Sequence, residues 1–416
     1  MSQISGPEGH PDLLVVDSDT HFSEPWDLWT SRGPASMKDR LPQVRDVDGA
    51  LSWVVDDLVL GPAAANCVVD AQGEKHLGAE WCFERLIHEV SPAASQVKPR
   101  LEMMDSHGVW AHLMYPNAVG FGGHQLGNVG DMVLRNLCVQ IYNDAMAEFQ
   151  EQSGDRLFPM AVIPWWDITA SVREIHRVKE LGLCGVNTTA DPQEAGFPDL
   201  SEDHWSPVWE TLEETGLPLN FHIGASATQS NFFGTAPWPS RTNDEKLAIG
   251  SAVLYQSNAR VIANMIYGGI PERHPDLKIV SVESGIGWLP FFLQALDYQL
   301  GETAPGLRKQ LSLLPSEYFR RQFAACFWFE RDLLVPAIEY VGIDNCLFET
   351  DFPHPTCLYP APLEGTLAAL KDVPENFRRK VMGGNAARIY NLPVPTDASL
   401  MVDLAPSGTR AGTRIT

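Results

Sequence analysis

Asp19-Thr20-His21 closes an apolar run, Leu13-Leu14-Val15-Val16, near the start of the chain. Side chains on a strand alternate with period two, so Asp19 and His21 leave the same face together. A carboxylate and an imidazole side by side at a strand end can chelate one divalent cation. Asp-x-His alone is a common chance pattern. It gains weight because three later apolar segments also end in ligand-type residues. His222 closes one of them ahead of Ile223-Gly224, and Glu283 closes another within Ser281-Val282-Glu283-Ser284-Gly285. Asp351 follows a third, with His354 three residues on in Asp351-Phe352-Pro353-His354-Pro355.

Three carboxylates and three imidazoles are enough to hold two metal ions, with one carboxylate as a bridge. The absence of a thiolate suits iron, manganese or zinc, and the carboxylate share tilts the set towards iron or manganese. Each residue also has a plainer reading. His222 fits a core histidine bonded to backbone, and His354 between two prolines fits a supporting role. Glu283 fits a partner for an arginine, since an unpaired buried carboxylate is costly. His112 and Tyr115, at the end of a second apolar segment, are candidates for a pocket wall or for core. Glu24 would orient a ligand or cap a helix. Trp288 and Phe352 would supply, with Tyr115, an apolar wall. His204 and Trp205 fit a helix start. Cys184 has no identifiable base and is not expected to be a nucleophile.

Eight short apolar segments must position these groups: Leu13–Asp19, Ala111–Tyr115, Met160–Pro164, Cys184–Asn187, Pro218–His222, Lys278–Glu283, Phe323–Phe329 and Cys346–Thr350. Several are continuous apolar runs, as in strands buried on both faces of a parallel sheet. Helical periodicity lies between many of them, in Asp131–Gln152, Ile168–Leu181 and Trp205–Thr215. Eight alternating units predict an α/β fold, a distorted (β/α)8 barrel whose C-terminal strand ends converge on one site. An open doubly wound sheet competes, but no Gly-rich phosphate loop follows the first strand. Within a barrel domain at 11–392, residues of about 25–100 read as a long insertion after the first strand, a cap over the mouth. Residues 1–10 read as an N-terminal extension and 393–416 as a flexible tail.

The chain has 416 residues, 44% of them hydrophobic, and a formal charge of −23. Such a charge opposes nucleic-acid binding, which needs clustered Lys and Arg. No apolar run is long enough for a membrane span, and the first residues lack a signal-peptide pattern. Seven cysteines, none spaced Cys-x-x-Cys, fit a reduced cytoplasmic protein.

The segments Asp17-Ser18-Asp19-Thr20-His21-Phe22-Ser23-Glu24-Pro25, Gly268-Gly269-Ile270-Pro271-Glu272-Arg273-His274-Pro275-Asp276-Leu277-Lys278, Glu283-Ser284-Gly285-Ile286-Gly287-Trp288-Leu289-Pro290 and Thr350-Asp351-Phe352-Pro353-His354 resemble the amidohydrolase-related family. The resemblance is to the branch with aminocarboxymuconate-semialdehyde decarboxylase, and it covers about residues 11–392. It implies a distorted TIM barrel with metal at its mouth. Two positions depart from the decarboxylase pattern: Asp19 stands where His-x-His often begins, and Glu283 where strand six usually carries a histidine. The full set is most similar to family members that hold two metals, diiron or manganese/iron, and hydroxylate carbon with O2. The favoured expectation is therefore a dinuclear monooxygenase with a small organic substrate and an electron donor. The alternatives are a hydrolase, for which zinc would serve, or a non-oxidative decarboxylase of a small organic acid, with Asp351 or Glu283 moving the proton. A further alternative is a non-catalytic subunit beside an active paralogue. A homo- or hetero-oligomer is expected.

Overall fold

Eight positions around a barrel are occupied by parallel strands in the computed structural model, which describes residues 6–230 and 238–395. Along the chain the strands are β1 (Val16–His21), β2 (Gln43–Val47), β3 (Ala50–Val55), β4 (Leu58–Pro62), β5 (Ala111–Tyr115) and β6 (Leu157–Pro159). There follow β7 (Ala161–Val162), β8 (Val186–Asn187), β9 (Leu219–His222), β10 (Ile279–Val282), β11 (Phe323–Phe327) and β12 (Cys346–Phe348). β1, β5 and β6 pair in that order, and β7 to β12 form a second run in sequence order. β6 and β7 are one stave that changes neighbours at Met160: Leu157–Pro159 pairs with β5, Ala161–Val162 with β8. Past β12 the chain meets β1 again. The Asp351 amide donates to the Asp19 carbonyl (2.9 Å) and the His21 amide to the Phe352 carbonyl (2.7 Å). The architecture is a distorted TIM barrel, and all eight predicted segments fall on its staves.

The helices follow their caps. Asp131 accepts from the Val133 and Leu134 amides (3.0 and 3.2 Å) at the start of Met132–Gln152, and Asp167 accepts from Ala170 at the start of Ile168–Glu180. Leu134, Cys138, Ile141, Ala145 and Met146 lie on the buried side of the first, at the helical spacing read from sequence. The barrel strands are buried on both faces, which is why several of them read as continuous apolar runs.

Between β1 and β5 the chain builds an antiparallel sheet, β2-β3-β4, whose first hairpin turns at Asp48-Gly49 with φ of 53° and 89°. This sheet is tied to the barrel through Trp53, which packs edge-on against Trp29 (5.6 Å), while the Trp29 indole donates to the Cys138 carbonyl (2.9 Å). No described helix is long and apolar enough to cross a membrane. Most of the segment expected to be a flexible tail, 396–416, lies outside the described residues, as do residues 1–5.

Candidate metal centre

Because β1, β9, β10 and β12 run parallel, their C-terminal ends open at the same rim. Asp19 and His21 end β1, His222 ends β9, Glu283 follows β10, and Asp351 and His354 follow β12. Two groups of donors result: Asp19, His21, His222 and Glu283, and His21, Glu283, Asp351 and His354. In each group, one atom per residue lies within 4.8 Å of all the others. The groups share His21 and Glu283.

His21 Nε2 lies 3.6 Å from Asp19 Oδ1, 3.6 Å from Asp351 Oδ1 and 3.2 Å from His222 Nε2. His222 Nε2 lies 3.5 Å from Asp19 Oδ2 and 3.3 Å from Glu283 Oε2. Donors bound at about 2.0–2.3 Å to a shared ion are spaced in this way. The outer ring nitrogens of two of the imidazoles are occupied: His222 Nδ1 donates to the Ile223 carbonyl (2.6 Å) and His354 Nε2 to Asn117 Oδ1 (3.0 Å). Those bonds leave His222 Nε2 and His354 Nδ1 as lone pairs facing inward, the outer-shell support that metal-binding imidazoles use.

The electrostatics fit a cation. Burial raises the Asp19 carboxyl, and burial with repulsion from Asp351, Asp19 and Glu349 pushes Glu283 well above the ordinary range. Burial, then the neighbouring imidazoles His354 and His222, holds His21 well below its usual value and so neutral. Both Asp19 carboxylate oxygens and Asp351 Oδ1 are buried without a hydrogen-bond donor. Orphaned buried carboxylate oxygens are costly unless a cation or a proton meets them. Glu283 faces no arginine or lysine within ion-pair distance among the described residues, so the arginine reading does not describe it.

Two of the ligand-type carboxylates sit on strained backbone. Glu283 (φ 53°) and Asp351 (φ 59°) both take the left-handed conformation, uncommon for a glutamate above all. That turn swings each carboxylate off the strand direction into the mouth. Neighbours secure it: the Glu283 amide donates to Glu349 Oε2 (3.2 Å), and Thr356 Oγ1 donates to Asp351 Oδ2 (2.6 Å). Beneath, the Asp17 carboxylate accepts from the Thr350 amide (2.8 Å) and hydroxyl, clamping β1 to the end of β12.

A cavity of about 240 Å3 opens over the cluster, with Glu283, Asp351, His354, Phe121, His124 and Tyr255 among its walls. Of the five pocket candidates, none lines it. Tyr115 lies under the imidazoles (5.1 Å from His222, ring to ring). Period two carries His112 to the opposite side of β5 from the site, where it meets Arg100 (3.3 Å) and Asp17 (3.8 Å). Phe352 packs under the Arg100 guanidinium (4.7 Å). Trp288 bonds the Ser284 carbonyl (2.9 Å) and packs on Phe292. Glu24 lines an adjoining cavity and accepts from the Asn117 and Ala118 amides (2.8 and 3.1 Å).

Other residues at the site lie outside the ligand-type set read at the strand ends. Glu349 stands two positions before Asp351, a carboxylate at a strand end that the same logic would have found. Asn117, Phe121 and His124 come from the loop after β5, where nothing in the spacing marks them. Tyr255 comes from the helix Asn243–Leu254 and its end, far from any strand.

An amidohydrolase family model matches residues 16–392. The chain belongs to the amidohydrolase family. Gamma-resorcylate decarboxylase of Polaromonas sp. (strain JS666 / ATCC BAA-500) is 26% identical over 306 residues, spanning 70% of this chain and 86% of that one. The 2-amino-3-carboxymuconate-6-semialdehyde decarboxylase of Dictyostelium discoideum is 22% identical over 258 residues, 61% of this chain and 66% of that one. Among solved structures, an amidohydrolase from Mycobacterium avium subsp. paratuberculosis K-10 superimposes with a TM-score of 0.71 at 25% identity. It covers 91% of this chain and 99% of its own. These relatives place the amidohydrolase in the branch read from its motifs and mark it as an enzyme. They also correct the expectation of an O2-dependent hydroxylase, because the curated relatives that match more than half of the chain are decarboxylases. The electron donor loses its support with it. The physical reason is that carboxylate and imidazole donors suit many divalent cations, so a ligand set alone does not select oxygen chemistry.

Proposed function

We propose that this amidohydrolase is a metal-dependent, non-oxidative decarboxylase of a small organic acid. The observation that carries the reading is the buried, unsatisfied carboxylate–imidazole cluster under a cavity, in a chain akin to decarboxylases over most of its length. Asp19, His21, His222, Glu283, Asp351 and His354 would hold one or two divalent cations. A cation there supplies a fixed positive charge for the acid and for the negative charge that develops as carbon dioxide leaves.

The protein's own groups do the rest. Phe121 closes over His21 and His222 (4.9 and 4.3 Å, ring to ring) and keeps water from their faces. Asp351 and Glu283 project into the cavity and carry the proton to the carbon that loses the carboxylate. The carbon–carbon bond breaks, its electron pair takes up the proton as a new carbon–hydrogen bond, and carbon dioxide departs with no oxidant or reductant consumed. One observation favours hydrolysis as a second reading: Glu283, beside His222, offers a carboxylate base for water. The insertion 25–100 serves in either case as a cap over the mouth.

The test is anaerobic carbon dioxide release from a panel of hydroxybenzoates and unsaturated acids, with protein loaded in turn with manganese, iron and zinc. Release without O2, and deuterium from D2O at the vacated carbon, is expected. Hydrolysis of esters or lactones with no carbon dioxide would move the reading to the hydrolase.

A further inference from the structure

The cavity over the cluster has a neighbour of about 290 Å3, formed between the barrel and the β2-β3-β4 sheet. Asn66, Phe83, Asn117 and Gln125 line both. Asn117 marks how close they lie: its side chain holds His354 (3.0 Å) on the metal-facing side, and its amide holds Glu24 (2.8 Å) on the other. Small-molecule pockets run to roughly 300–1,000 Å3. The site cavity alone falls short of that range, and the two together fall within it.

The walls of the second chamber differ from those of the first. Trp26, Trp53, Leu60, Phe83 and Ile87 give it flat and aliphatic surface. Neither chamber has a lysine or arginine among its described lining residues, and the second contains one ionisable carboxyl, that of Glu24. A second acid group on a ligand would therefore find no cation there and would meet Glu24. An uncharged ring would find indole faces and aliphatic side chains.

We infer that the second chamber is a substrate subsite, and that the substrate is a mono-acid carrying an uncharged aromatic or similarly flat group beyond the ring or chain that bears the acid. This rests on the metal-centre reading for the acid end. The acid lies at the cluster, and the distal group passes Asn117 and Gln125 into the space under the β2-β3-β4 sheet.

The experiment is titration calorimetry of the full-length, manganese-loaded protein with benzoate, the three phenylbenzoate isomers and benzene-1,4-dicarboxylate. At least one phenylbenzoate is expected to bind about tenfold or more tighter than benzoate, the scale of burying one ring. The dicarboxylate is expected to gain nothing. Leu60→Trp and Ala64→Phe, at two positions where the insertion lines the second chamber, should fill it, erase the gain and leave benzoate, held at the cluster, unchanged. Benzoate binding with no isomer preferred, or a gain that survives both filled variants, overturns the subsite and leaves the metal-centre reading intact. No acid binding at all overturns both.

Discussion

Among the described residues, two places bring carboxylates and at least one imidazole within metal-binding distance, and they differ in one respect. At the barrel mouth, Asp19 and Asp351 are buried with carboxylate oxygens that no donor reaches. In the insertion, Asp70, Glu74 and His76 are equally close, but Asp70 is fully engaged. Its Oδ1 accepts from the Gln72 and Glu74 amides (2.9 Å each), and its Oδ2 meets His76 Nε2 at 2.7 Å. His76 is in turn stacked on Trp81 at 3.6 Å. The second group is a folded loop that has satisfied itself. Residue type and proximity do not separate the two; unmet lone pairs do.

The largest effect that would break this comparison is on activity and metal content. Asp351→Asn and His21→Ala should lower the proposed decarboxylation by about 10^3-fold or more, as expected when a group acting in proton transfer or cation binding is lost. They should also lower bound metal, measured by elemental analysis of the purified protein. His76→Ala should change neither. Metal lost from His76→Ala and kept by His21→Ala would reverse the assignment.

Next in size is the stability that a cation lends. A ligand at a hundredfold its Kd adds roughly 2.7 kcal/mol to folding. Chelation of the wild type should therefore lower Tm, and manganese should restore it. In His222→Ala the restoration should shrink, and in His76→Ala it should persist. A Tm indifferent to chelation would remove the cation from the mouth.

The barrel and its rim were legible because both rest on short-range pattern. Continuous apolar runs such as Leu13–Val16 and Phe323–Phe327 are what a strand covered on both faces needs, and the barrel then brings residue 19 beside residue 351. What stayed hidden depends on loops. Asn117, Phe121 and His124 reach the cavity because Gly120 (φ 78°) and Gly123 (φ 65°) let the backbone turn back on itself, a path no periodicity announces. His112 and Phe352 misled for a different reason: each sits one residue out of phase with the site-facing side chains. The reaction stayed hidden because ligand chemistry underdetermines it; kinship removed the O2-dependent hydroxylase.

Glu24 is the intermediate case between the two clusters, a carboxyl buried like Asp351 but satisfied by amides like Asp70. Burial pushes it up to about 7 from 4.5, against the lowering effect of the Asn117 and Ala118 amides. The folded protein thus holds a proton between about pH 4.5 and 7 that the unfolded chain has released. Stability from this group is present below the unfolded value and is lost as pH rises through the folded one, by roughly 3 kcal/mol in all. Glu24→Gln cannot ionise and should flatten that part of the profile. Urea unfolding of metal-free wild type and variant from pH 4 to 8 would measure it, and equal slopes would refute it.

The smallest effect belongs to the self-satisfied loop, and its smallness is informative. Bonding to His76, then the Glu74 amide, holds the Asp70 carboxyl below its ordinary range. Its contribution is present above the unfolded value and lost as pH falls through the folded one. Asp70→Ala frees two amides at a site where water can replace the carboxylate, so Tm should fall by about 1–2 °C. Bound metal and its protective effect on Tm should stay as in the wild type. If instead Asp70→Ala lowered metal content as far as His21→Ala does, satisfied lone pairs would not distinguish a structural loop from a metal site. The unmet oxygens of Asp19 and Asp351 would then need another explanation.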